Sequence, residues 1–158
     1  MKYYHLIMYT GVLIGVAVGI GVFVVIWVIL EFRTAKFDSF TFEPADGFFE
    51  KILAIYLDIA KFIIGLAAGG IVLIIGSSAL GSSKRLPPVY ASPLFILAMS
   101  VFFGITFMPL LVLNYEAFKH KTSPYARWQY IRNRAMGYSS LTCFCIGYGW
   151  LILAATSA

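Results

Sequence analysis

Charge is what this chain has least of. Only 12% of its 158 residues are Asp, Glu, Lys or Arg, against about 25% in soluble domains. That is too little to clothe a water-soluble surface. Histidine is as scarce. His5 and His120 are 115 positions apart and fall on opposite sides of the topology derived below, so they cannot share a haem or a metal ion. Cysteine is limited to Cys143 and Cys145 within one apolar run. Residues two apart on a helix point about 200° away from each other, so neither a disulfide nor a zinc pair is expected, and both read as small buried thiols. No apolar run contains a pair of carboxylates for acid–base work, and no His–Ser or Cys–His couple shares a face. Walker and Rossmann glycine loops are absent too. The expectation is a protein without catalytic residues, cofactor or metal site, and so not an enzyme.

Apolar residues dominate: 61% of the chain is hydrophobic, and the mean hydropathy is +0.88. They gather in four runs, at 6–30, 59–80, 89–113 and 135–155. About 20 helical residues cross a bilayer core, so each run is long enough. The expected fold is all-α: one transmembrane domain over 1–158, with four helices in an antiparallel bundle. The first run is longer than the 7–15 apolar residues of a cleavable signal, and no small-x-small site follows it. It reads as a retained span.

The net charge of +5 fits topology better than nucleic-acid binding. Arg33, Lys36 and Lys51 lie between spans one and two; Lys119, Lys121, Arg127, Arg132 and Arg134 lie between spans three and four. Only Lys2, Lys84 and Arg85 lie on the other side. Basic residues hold loops in the cytoplasm, which assigns loops 31–58 and 114–134 to the cytoplasm and both termini to the outside of an inner membrane. Pro87 and Pro88 close a short connection that makes spans two and three an antiparallel hairpin.

Span one carries Gly11, Gly15 and Gly19 at four-residue spacing. In lipid no hydrophobic force draws helices together, so smooth faces that admit close backbone approach do that work. In span two, Gly65 and Gly69 continue a face that begins with Asp58 and Lys61, an i, i+3 pair suited to an interfacial ion bridge. Pro109 should kink span three. The first loop is rich in phenylalanine (Phe32, Phe37, Phe40, Phe42, Phe48, Phe49), which suits an interfacial anchor or a surface for a partner. Asp46 and Ser123-Pro124 read as helix starts, and the helix from Pro124 is expected to continue into span four. Lys119, Lys121, Arg127, Arg132 and Arg134, interleaved with Tyr125, Trp128, Tyr130 and Tyr138, suit anionic lipid or an acidic partner.

The stretch Asp58-Ile-Ala-Lys61-Phe-Ile-Ile-Gly-Leu-Ala-Ala-Gly69-Gly-Ile-Val-Leu73 resembles a helix of small four-span bacterial inner-membrane proteins, some of them thought to be effectors in anti-phage defence. It covers about 16 residues, with Phe62 where tryptophan is expected, and it carries over no functional residue. It implies a prokaryotic membrane protein. Two functions suit the whole pattern: an oligomer that permeabilises the membrane or conducts across it, and an accessory or assembly subunit of a larger membrane complex. The expected partners are the lipid bilayer and either further copies of the chain or other membrane subunits.

Overall fold

A computed structural model describes residues 2–35, 42, 49–80, 86–120 and 125–156. They form four long helices: α1 (Lys2–Thr34), α2 (Phe49–Leu80), α3 (Ala91–Lys119) and α4 (Arg127–Thr156), with a 3-10 turn at Pro88–Tyr90 leading into α3. Each helix is long and apolar enough to cross a membrane. The protein is a small multi-pass integral membrane protein.

The helices alternate in direction. Gly11 of α1 lies by Ala91 and Gly19 by Met99, so α1 and α3 run parallel. In the antiparallel pair α2 and α3, Glu50 meets Lys119 and Ile64 meets Gly104. The antiparallel pair α3 and α4 brings Leu97 to Gly147 and Phe107 to Gly137. This α3–α4 pair is the spine. α1 packs on both of its helices, and α2 packs mainly on α3. Although consecutive in the chain, α1 and α2 share no contact among the described residues. One end of the bundle, here the basic end, gathers Thr34, Phe49, Lys119 and Arg127; the opposite end carries both termini.

Small and polar residues make up most of the buried face of α4. In α4 the buried positions include Asn133, Ala135, Ser139, Ser140, Cys143 and Gly147, while Leu141, Trp150, Ile152 and Leu153 face outward. A soluble bundle does the reverse. In lipid, close approach and interhelical hydrogen bonds hold helices together, and apolar side chains are best left to the acyl chains. Cys145 differs from the expectation of two buried thiols: it is exposed, and only Cys143 is buried.

The helix ends also depart from the sequence reading. α3 does not stop at Leu113 but runs on through Asn114–Lys119, because those residues have partners: Asn114 bonds Asn133, Tyr115 packs in an aromatic cluster, and Lys119 reaches Glu50. Pro109 sits exposed within α3 and removes the bond to the Ile105 carbonyl, yet the helix continues past it. Pro93 falls in the first turn, where backbone N–H groups have no intrahelical partner to lose. At the start of α4, Gln129 accepts a bond from the Ala126 N–H at 2.9 Å, half of a capping box. α4 then runs unbroken through the fourth apolar run. The expected helix starts at Asp46 and Ser123-Pro124 lie outside the described residues.

Candidate functional site

The two glycine faces have different surroundings. Gly11, Gly15 and Gly19 are buried against the first half of α3. A Cβ on Gly15 would stand 2.7 Å from Phe95 Cβ and 2.8 Å from the Ser92 carbonyl oxygen. Gly65 and Gly69 have nothing within 4 Å of where a Cβ would be. Among the described residues nothing packs against them, so the helix expected to cover this face is not supplied by the chain's own bundle. The packed face of α2 is instead Ala60, Ile63, Ala67 and Gly70, with the Tyr148 hydroxyl donating to the Leu66 carbonyl at 2.9 Å. The outward face continues from Gly65 and Gly69 to Val72, which is 68% exposed. Asp58 and Lys61 are also exposed, and they pair at 3.2 Å.

At the basic end, two of the proposed lipid or partner contacts are engaged within the chain. Arg127 ties the start of α4 to the end of α1. Its guanidinium pairs with the Glu31 carboxylate at 2.8 Å, donates to the Glu31 carbonyl at 2.8 Å, and reaches the Thr34 hydroxyl at 3.4 Å. Lys119 pairs with Glu50, which also accepts a bond from the Tyr115 hydroxyl at 3.3 Å. Exposed pairs of this kind contribute about 0–1 kcal/mol each, so their main effect is to set how the helix ends meet. Arg132 stacks on Trp128 and Arg134 on Tyr130, each with 4.5 Å between guanidinium carbon and ring centroid. Lys121 lies outside the described residues.

Two features were not anticipated from the sequence. The first is a buried polar set along the α3–α4 spine, where none was expected. Ser100 and Ser140 bond across it, and Asn114 Nδ2 donates to Asn133 Oδ1 at 3.0 Å, with Asn133 Nδ2 donating in turn to the Tyr125 hydroxyl at 3.3 Å. The spacing Ser100-x-x-x-Gly104 was the available signal, since small residues four apart mark close helix contacts. These groups are neutral and bonded to one another, so they hold helices together and leave no acid or base poised for chemistry. The second is a cluster that closes the basic end. Phe42, only 4% exposed, packs against Tyr125 with centroids 3.8 Å apart and edge-on to Phe49 at 4.9 Å, beside Tyr115 and Phe118. Phe42 is therefore a plug within the protein, not a headgroup anchor, whereas Phe32 is fully outward at 78% exposed. Phe37, Phe40 and Phe48 lie outside the described residues. Burial pushes the Tyr125 hydroxyl pKa up to about 12.

Above this plug lies a cavity of about 300 Å³ between α2, α3 and α4, with Ile63, Phe107, Leu111 and Leu141 among its walls. A second, more polar cleft opens between α1 and α4, lined by Arg33, Thr34 and Thr142. Tyr130, Arg134 and Tyr138 border both. Among the described residues no three His, Cys, Asp or Glu side chains come together to hold a metal ion.

No family model, curated protein or solved structure matches this chain.

Proposed function

We propose that this protein acts by lateral association in the membrane, assembling through the outer face of α2 into a channel-like oligomer that permeabilises the bilayer. One observation carries this reading: the exposed Asp58–Lys61 pair stands in line with uncovered Gly65 and Gly69 inside a helix apolar enough to span. At the interfacial mouth of the span, an exposed ion pair that leads into two uncovered glycines marks a face against which another helix can lie closely. A second copy would cover the glycines and give the ion pair polar neighbours. The centre of a single chain is filled by Ile96, Leu97, Ile131 and Cys143, so a conducting path would run between copies. The resemblance of residues 58–73 to small bacterial four-span proteins supports an effector role in an inner membrane, with the basic end in the cytoplasm by the positive-inside rule.

Cysteine cross-linking in membranes tests the assembly. In a background lacking Cys143 and Cys145, Gly69→Cys should form disulfide-linked dimers, and Val22→Cys, on α1 against the bundle core, should not. Induced expression should also collapse the membrane potential. Monomers at every outer α2 position, with unchanged potential, would sink the proposal. The open bundle, with α1 and α2 apart, favours a second reading in which a different membrane protein covers the same face and this chain is its accessory subunit. Stoichiometric recovery of a foreign subunit in mild detergent would select that reading.

A further inference from the structure

We propose that the outer face of α4 holds one anionic phospholipid, its phosphate between Arg33 and Arg134 and one acyl chain in the cavity between α2, α3 and α4. Arg134 borders both the cavity and the α1–α4 cleft, and Arg33 joins it in the cleft. Glu31, Glu50 and Asp58 pair with Arg127, Lys119 and Lys61. Neither Arg33 nor Arg134 has an ion-pair partner among the described residues. Two guanidiniums beside one cleft, with no carboxylate paired to them among the described residues, suit a phosphate, which arginine binds in bidentate fashion. The stack of Arg134 on Tyr130 at 4.5 Å limits the directions its guanidinium can take.

Depth agrees with this assignment. Arg134 immediately precedes the fourth apolar run, where a headgroup would lie. The cavity extends inward to Gly104 and Ser140. Ser140 is six residues beyond Arg134, about 9 Å along a helix. A phospholipid has the same order, with charge outside and hydrocarbon inward. Of the polar residues deep in the cavity, Ser140 bonds Ser100, and Asn133 bonds Asn114 and Tyr125. Ile59, Ile63, Phe107, Leu111 and Leu141 make most of the remaining wall apolar, which suits a chain better than a polar solute. α2 and α4 meet near Tyr148 and Leu66, and the exposed lining residues Tyr56 and Ile59 on α2 and Tyr138 and Leu141 on α4 put the cavity mouth between these helices, facing the lipid that would supply the occupant.

The test uses the full chain as a monomer in nanodiscs, so its outcome is independent of self-association. Native mass spectrometry would compare retained phosphatidylglycerol with phosphatidylcholine. A phosphatidylglycerol carrying a diazirine on its acyl chain would report where the chain lies. The wild type should retain phosphatidylglycerol preferentially and cross-link at Ile63, Phe107 or Leu141. Arg134→Gln and Arg33→Gln should each lower retention about fivefold, from about 1 kcal/mol per base. Arg134→Lys should keep most of it, and Lys51→Gln should keep all of it. Leu141→Trp, at the cavity mouth, should abolish the cavity cross-links while headgroup preference persists. Equal retention of the two lipids, an equal loss with Lys51→Gln, or cross-links spread evenly around the bundle would overturn the proposal. Thermal melts of each variant identify any that fails to fold, and a folded Arg134→Gln protein with unchanged retention would be decisive against it.

Discussion

Ser100 and Ser140 bond each other twice. The Ser100 hydroxyl donates to the Ser140 carbonyl at 2.7 Å, and the Ser140 hydroxyl donates to the Ser100 carbonyl at 2.9 Å. The exchange locks α3 to α4 where both backbones come close, one turn from Gly104. A Cβ at Gly104 would stand 2.8 Å from Ile64 and 3.0 Å from the Ser140 hydroxyl oxygen. Interhelical bonds in membranes contribute about 0.6 kcal/mol on average and up to about 1.7. Ser100→Ala and Ser140→Ala should each cost an amount in that range. The double variant should cost less than the sum if the two bonds depend on one another, because each hydroxyl positions the carbonyl that accepts from the other. Unfolding of the four variants in mixed detergent measures this.

The contrast between Gly15 and Gly65 gives a sharper result. Alanine at position 15 would press on the Ser92 carbonyl, a backbone atom that cannot swing aside. Gly15→Ala should therefore destabilise the monomer by about 1–3 kcal/mol. Gly65→Ala meets nothing among the described residues and should leave the monomer unchanged or up to about 1 kcal/mol more stable through helix propensity. If the outer face of α2 is the association surface, larger residues there should weaken assembly without harming the fold. Gly65→Leu is then expected to remain a folded monomer, read by thermal melting and by mass in detergent. A Gly65→Leu protein that assembles like the wild type would remove α2 from the interface.

Hydropathy alone was enough for the four spans, because a bilayer demands about 20 apolar residues wherever it is crossed. Spacing likewise put Gly11, Gly15 and Gly19 on a common face. It could not say what lies opposite, and for Gly65 and Gly69 the answer among the described residues is nothing. A glycine pattern records a smooth surface; the neighbour depends on the rotation of the whole helix, which distant contacts decide. The α3–α4 seam was obscured for a related reason. Serine in a membrane helix can bond its own preceding turn, as Thr10 and Thr106 do here, so Ser100 and Ser140 gave no sign that they cross instead. Phe42 was the hardest to read. It is one loop phenylalanine among several, and its burial needs α2, α3 and the segment before α4 to end together around it.

The Phe42 plug makes a local prediction. Replacing a buried phenylalanine by alanine costs about 3–5 kcal/mol when the cavity does not collapse. Here the loss should fall on the basic end, since Tyr125, Phe49 and Phe118 lose their common neighbour. Phe42→Ala should speed hydrogen exchange in the first turns of α2, around Phe49–Leu53, while the spine near Ser100 exchanges as before. Phe42→Leu should show a smaller effect. Uniform acceleration along all four helices would mean that the plug supports the whole bundle.

Tyr125 makes the same cluster sensitive to alkali. Its pKa, raised by burial from the ordinary 10.0 to about 12, is that of a phenol kept neutral by its surroundings. Asn133, which donates to its hydroxyl at 3.3 Å, opposes that rise only in part. The unfolded chain loses this proton near pH 10 and the folded one near pH 12. Below pH 10 both forms hold it, and the stabilisation is fully present. Between pH 10 and 12 the unfolded state binds fewer protons, so stability falls as pH rises, by about 1.4 kcal/mol per unit. Alkaline titration of unfolding in detergent should therefore show a downward slope starting near pH 10. Tyr125→Phe should remove that slope while costing a little at neutral pH, because Asn133 then loses one acceptor. If the slope survives in Tyr125→Phe, it belongs to another group, and the burial of Tyr125 under Phe42 does not couple the basic end to pH.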